Sequence, residues 1–354
     1  MLRRALIAGT LLLAFVLVAV LAHRRPAAAA PPPATHPAAR APAPPPAAPP
    51  ATPPAARRAP APPAAAAPAP VTVAVRAAWG AGPADLGRSR PAEGAPAGPM
   101  SLAVDGSGSV YVLDQVNARV QVFAAGRALR QIPLPGDTFQ DLALGRDGLV
   151  LLDRLARRAL TFVDERGTVR HEVALEGAGV PEGGGVTGLF VRDDGAWVEV
   201  EHRGLVRVAD AAGRADPARP TQPGRLAADG RAYLRAVRAA PDAALVLAAP
   251  AAGAGELALL AQPTFAWPVQ RLSALESDRA GRVYLGAVVA DQATGDEREV
   301  VVVLAPGGAE AARLTLPPRP GPEEQLRPLV LGADGAIYQL ACEPDAAVIR
   351  RAVP

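Results

Sequence analysis

The chain has 354 residues, 37 basic against 34 acidic, a formal net charge of +3 and a single cysteine. The lone cysteine excludes an intramolecular disulfide and a cysteine-rich zinc site. Residues 1–70 hold seven arginines and no acidic residue, so residues 71–354 carry 30 arginines against 34 acidic side chains, without the basic field that nucleic acid binding requires. Every basic residue is arginine and alanine is abundant, a composition in which a single arginine says little about function.

Arg3 and Arg4 precede an 18-residue apolar run at 5–22, which His23, Arg24 and Arg25 close. At about 1.5 Å per residue such a helix spans roughly 27 Å, enough to cross a bilayer core. The expectation is a single-pass transmembrane anchor over 1–25, with a signal peptide cleaved at Val20-Leu21-Ala22 as the alternative. The first places the rest of the chain on the outer side of an inner membrane, periplasmic or otherwise extracytoplasmic; the second secretes it. Residues 26–70 contain 18 of the 40 prolines and are otherwise mostly alanine. Such a tract cannot bury a core and favours polyproline II, a stiff linker reaching on the order of 140 Å if extended.

Residues 71–354 repeat. Each of the four tyrosines stands three residues after a glycine: Gly108 and Tyr111, Gly230 and Tyr233, Gly281 and Tyr284, Gly335 and Tyr338. Gly148 and Gly195 open two further copies without the tyrosine, and the six glycines are 40, 47, 35, 51 and 54 residues apart. An apolar strand precedes each glycine (101–104, 141–144), an Asp/Gly turn carries it, and a second strand follows it (110–113). A third strand, 119–123, and a weaker fourth, 169–175, complete the unit. Four short strands at a period of roughly 40–50 residues predict an all-β, six-bladed β-propeller. The fourth copy, from 221 to about 269, is the least regular, and five blades plus an insertion is the alternative. The last copy ends one strand short, so residues 71–76 are expected to pair with the C-terminal strand and close the ring.

Trp79-Gly80, then Gly98 to Asp105, Gly108 to Asp114 and the Asn117-Ala118-Arg119 run resemble an NHL repeat. The resemblance is close over 79–124 and fades beyond blade two. It implies a six-bladed propeller, commonly a binding scaffold and sometimes an enzyme, and it implies that Asp114, Asn117 and Arg119 hold their blade's turn.

Asp114, Asp153 and Glu201 end the second strands of the first three blades and are expected on one rim. The insertion holding Asp291, Asp296, Glu297 and Glu299 falls at the same place in blade five. Together with His202 these residues make a candidate binding rim for a protein, peptide or polysaccharide. Alternation puts Glu199 and Glu201 on one face of their strand and His202 on the other. The inner strands, with Leu102, Ala103, Leu142, Ala143, Leu189, Val191, Leu329 and Val330, read as an apolar hub. Cys342 reads as a buried small hydrophobe. No cofactor is indicated. The enzyme alternative is a divalent-metal-dependent lyase or lactonase, but only His171 and His202 lie in the domain, Asn117 is the sole asparagine, and neither G-x-S-x-G nor H-E-x-x-H occurs.

Overall fold

The computed structural model describes residues 70–354 apart from Ala254. The expected anchor and all but the last residue of the linker lie outside the described residues. Twenty-four strands form six four-stranded antiparallel sheets, each made of four consecutive strands except the one that joins the two ends of the domain. Their inner strands meet around a common axis, so the sheets are the blades of a six-bladed propeller. Val71–Ala78 is the outer strand of blade six. It pairs antiparallel with Ala346–Ala352, from Val71 opposite Ala352 to Ala78 opposite Ala346. The ring therefore closes as the repeat arithmetic requires.

The repeat has a local cause. All six repeat glycines have positive φ, between +73° and +146°, in the hairpin joining the first and second strands. At Gly195 a Cβ would also lie 2.1 Å from the Ala209 carbonyl oxygen, so glycine is needed for space as well as for φ. The aspartate before the glycine accepts backbone N–H bonds across the turn, as Asp105 does from Ser107 and Ser109. In three of the four copies with a tyrosine, its hydroxyl returns to the same carboxylate: Tyr111 to Asp105, Tyr284 to Asp278 and Tyr338 to Asp334 at 3.3, 3.0 and 3.1 Å. The glycine–tyrosine spacing thus records a clamp on the hairpin.

Blades bury one another's faces. Buried apolar clusters bind blade one to two around Leu113 and Leu142, and two to three around Leu152 and Leu189. Others bind four to five around Val246 and Leu285, five to six around Val301 and Leu329, and six to one around Ile349 and Leu102. No such cluster bridges blades three and four among the described residues. That seam is joined by polar contacts, and it opens onto a cavity at the mouth of the channel.

Blade four departs from the sequence reading. Thr221–Gln222 is the short outer strand of blade three, so blade four begins at Arg225. Its inner strand, Arg225–Leu226, has two residues, whereas the inner strand of blade five, Val269–Ser277, has nine. Only Tyr233 and Leu234 of the second strand, Ala232–Ala240, face an inner partner. Residues 235–240 have none, and 235–238 form one wall of the channel mouth.

Candidate functional site

The expected rim divides once its residues are placed. Asp114 and Asp153 are fully buried, and Glu299 is 2% exposed. Asp114 accepts from Gly87 N–H, Asn117 Nδ2 and Arg119 Nε, all at 2.8 Å. Asn117 and Arg119 go on to bond the carbonyls of Gly80, Gly82 and Asp85, which ties the chain entering blade one to that blade's turn. Asp153 accepts from Ala156 N–H at 2.8 Å and from the Thr138 hydroxyl. Glu299 accepts from Gln339 at 2.7 Å and Arg319 at 3.1 Å. These three carboxylates hold loops and blades together and do not form a ring at the surface. Asp296 and Glu297 are exposed and Asp291 is half-buried, with its side chain accepting from Ala293 N–H in its own turn. None of the three borders the mouth, and of the eight only Glu201 and His202 do.

The mouth is a cavity of about 840 Å³ on the face that carries the turns between second and third strands. Eight arginines border it (154, 203, 225, 235, 238, 271, 319 and 327) against three glutamates, Glu199, Glu201 and Glu276. The expectation of an apolar hub is corrected here. The inner-strand residues named above are apolar, but Asp141, Arg225, Glu276 and Arg327 stand on or beside the same strands. Phe190, Glu276 and Arg327 border both this cavity and a second one of about 610 Å³ towards the opposite face, and so form the channel's waist. The guanidiniums of Arg225 and Arg327 lie 4.9 and 5.2 Å from the Phe190 ring centre, at cation–π range.

Two buried carboxylates fix these cations. Arg225 grips Glu199 of blade three with Nε and Nη2 at 2.8 and 2.9 Å, and donates through Nη1 to the Leu275 carbonyl of blade five. Arg327 donates to Asp141 at 2.8 Å and to the Leu189 carbonyl. Burial pushes the Glu199 carboxyl up, but Arg225 and His202 more than reverse this and hold it well below the usual carboxylate range. Burial raises Asp141 despite Arg327. Glu276 is also raised, by burial first, although Arg225 and Arg327 oppose it; Glu199 and Asp141 add to the rise. Among the described residues Glu276 has no hydrogen-bond partner, unlike the other two.

Glu201 and His202 occupy the turn between Gly195–Val200 and Gly204–Asp210, where Arg203 N–H bonds the Val200 carbonyl at 2.9 Å. Both are left-handed, with φ of +49° and +54°, and no other adjacent non-glycine pair among the described residues is. Such mirror-image turns favour Asn-Gly, and each L side chain here costs about 1–2 kcal/mol. The turn also overturns the alternation expected for His202. The strand ends at Val200, and the imidazole swings back until Nδ1 is 3.0 Å from Glu199 Oε2. The Thr187 hydroxyl accepts from His202 N–H at 3.1 Å and donates to the same Glu199 oxygen at 3.0 Å.

Sequence reasoning passed over most of the mouth. In a chain whose only basic residue is arginine its arginines carry little signal, and alternation gives Glu199 a strand face but no partner. A signal exists in Arg225 and Glu276: each is a charge within a first strand, a position that is otherwise mostly apolar apart from residues such as Asp141 and Arg192. Among the described residues no three His, Cys, Asp or Glu side chains are grouped where they could share a metal ion.

Fold and site together define a six-bladed β-propeller with an arginine-lined channel mouth. The sequence matches no protein-family model and no curated protein. Similar solved structures include a streptogramin B lyase, 12% identical over 72% of this chain and 80% of that one with a TM-score of 0.38. A DUF4221-family member from Bacteroides vulgatus is 9% identical over 80% and 98%, TM-score 0.41, and a chain of the mitotic checkpoint complex is 14% identical over 84% and 98%, TM-score 0.43. The fold rests on the chain's own strand pairings.

Proposed function

We propose that the chain is a binding scaffold of the cell envelope, an NHL-like propeller tethered outside the cytoplasm by its N-terminal segment. It takes an anionic protein, peptide or polysaccharide ligand into the channel mouth. One observation carries the reading. Of the eight mouth arginines, Arg235, Arg238 and Arg271 have no carboxylate partner among the described residues. Arg271 stays open to the cavity, yet the surrounding walls and Arg319 pull its guanidinium below its ordinary value. A bound anion relieves that opposition, and guanidinium forks suit carboxylate, phosphate and sulfate groups. Glu201 and His202 remain at the edge of this mouth as contacts of the same ligand.

The test is titration of the purified propeller with labelled polyglutamate at several salt concentrations. Binding should weaken with salt. It should fall about tenfold or more in the double variant Arg238→Ala/Arg271→Ala, a loss of roughly 1.4 kcal/mol. Equal binding by variant and parent would place the site elsewhere. For the envelope location, a phosphatase reporter fused after Pro354 should be active, and an inactive fusion would refute export.

A second reading, an enzyme, draws on His202. Its Nδ1 faces the buried Glu199 carboxylate, and Nε2 has no partner among the described residues. A carboxylate-oriented imidazole beside anion-holding arginines is the arrangement of a general base. Under this reading His202→Gln keeps ligand affinity and abolishes turnover of the captured ligand.

A further inference from the structure

The slot left by the short inner strand of blade four says more about the ligand. In a sheet, each backbone carries hydrogen-bonding groups on both edges. Ala232–Ala240 satisfies its outer edge against Ala243–Pro250. Its inner edge is paired only at Tyr233 and Leu234. From Arg235 onward that edge pairs with no strand, and over residues 235–238 it borders the mouth.

We infer that the mouth binds an extended acidic peptide, which pairs with the inner edge of residues 235–238 as the inner strand that blade four lacks, with its carboxylates on Arg238 and Arg271. The inference rests on the anion-binding reading and names its ligand. Strand addition supplies main-chain hydrogen bonds independent of sequence, and alternate side chains supply the specificity. Arg235 and Arg238 stand on opposite faces of the strand: Arg235 reaches the Arg203 carbonyl of blade three at 3.2 Å, and Arg238 the Val269 carbonyl of blade five at 2.9 Å, so Arg238 faces the side of the slot that also carries Arg271. Arg271 is two residues further along blade five's inner strand. Between them the walls are aliphatic, with Ala236, Val237, Leu272 and Leu326, which suits apolar side chains alternating with acidic ones.

A polysaccharide fits less well. Sugar rings stack their C–H faces on aromatic side chains, and among the described residues Phe190 is the only Phe, Tyr or Trp bordering the mouth. Two guanidiniums already sit over it. A polysaccharide also lacks the regular N–H and C=O ladder that an open strand edge requires. The chain's own N-terminal segment is not the occupant, because residues 1–70 contain no Asp or Glu.

The experiment compares three probes on the full propeller by fluorescence anisotropy. They are a labelled (Glu-Val)4 peptide, the same peptide N-methylated at alternate residues, and an oligogalacturonate of equal charge. The expected result is saturable binding of the first, about tenfold or more weaker binding of the second, and weak binding of the third. Arg238→Ala/Arg271→Ala should weaken the first. N-methylated peptide or galacturonate binding as tightly as the plain peptide, with the same arginine dependence, overturns strand addition and leaves the anionic mouth standing. Absence of peptide binding, or binding indifferent to the double substitution, overturns both. Retained far-ultraviolet circular dichroism and melting temperature in the double variant separate lost binding from lost fold.

Discussion

The seam between blades six and one and the seam between blades three and four are closed by opposite means. At six and one the chain's two ends share a sheet, and Leu102, Val112, Leu340 and Ile349 pack with Val75 and Ala77 into one apolar cluster. At three and four no apolar cluster forms among the described residues, and the buried join is the Glu199–Arg225 pair, with Arg235 donating to the Arg203 carbonyl nearer the surface. Apolar burial is non-directional and fills space, so it leaves no room at the seam. A bidentate ion pair holds two blades at one point and leaves its surroundings open. The cavity lies beside the seam of the second kind, and that polar closure is what makes room for a ligand.

The largest effect should come from the apolar seam. Deleting Val71–Ala78 removes a whole outer strand and exposes the cluster beneath it. The loss should be comparable with the stability of a typical domain, about 5–15 kcal/mol, so that no cooperative unfolding transition survives near room temperature. Calorimetry reads this directly. A variant melting within a few degrees of the parent would show that the ends need not meet.

Next comes the polar seam. Glu199→Ala leaves the Arg225 guanidinium between two blades with no carboxylate gripping it. Removing one partner of a buried pair costs about 3–5 kcal/mol, whereas replacing both with apolar groups is often neutral. Urea denaturation at neutral pH should therefore show a large loss for Glu199→Ala and a much smaller one for Glu199→Leu/Arg225→Met. A single variant within about 1 kcal/mol of the parent would mean that something other than this pair joins blades three and four.

The two seams were unequally legible in the sequence. The repeat glycines, the tyrosine spacing and the alternating 71–76 segment are local signals, and they predicted blade number and closure. Apolar seams follow from strands that alternate on schedule. The polar seam depends on where Glu199 and Arg225, 26 residues apart, come to lie once two blades are folded, and no local pattern encodes that. Blade four looked irregular for the same reason that it matters: its inner strand is two residues long, so the repeat signal fails where the mouth opens. At Asp114 the structure shows the turn-holding role that the repeat resemblance implies, and the strand-end pattern alone misses the burial of Asp153 and Glu299. Charges at strand ends usually face water, but here the turns and loops fold over them.

The smallest expected effect separates the carboxylates at the waist from one another. Glu199 is held below its ordinary value, so its contribution to stability is present above the ordinary glutamate pKa and is lost only as the pH falls to strongly acid values. Glu276 is shifted the other way. Its folded form holds a proton more tightly than the unfolded chain does, so the stability it contributes is present at low pH and is lost as the pH rises through the window above the ordinary glutamate value. At neutral pH Glu276 must either keep a proton or sit charged beside Glu199 and Asp141, with Arg225 and Arg327 already committed elsewhere. Glu276→Gln removes that cost without changing the shape of the waist. Its melting temperature should exceed the parent's by up to about 2–4 °C near pH 8, the equivalent of roughly 1 kcal/mol. The gain should vanish near about pH 4, where both side chains are neutral. A variant that is less stable than the parent at neutral pH would show that Glu276 is a working partner of Arg225 or Arg327. The waist would then be held by three ion pairs instead of two.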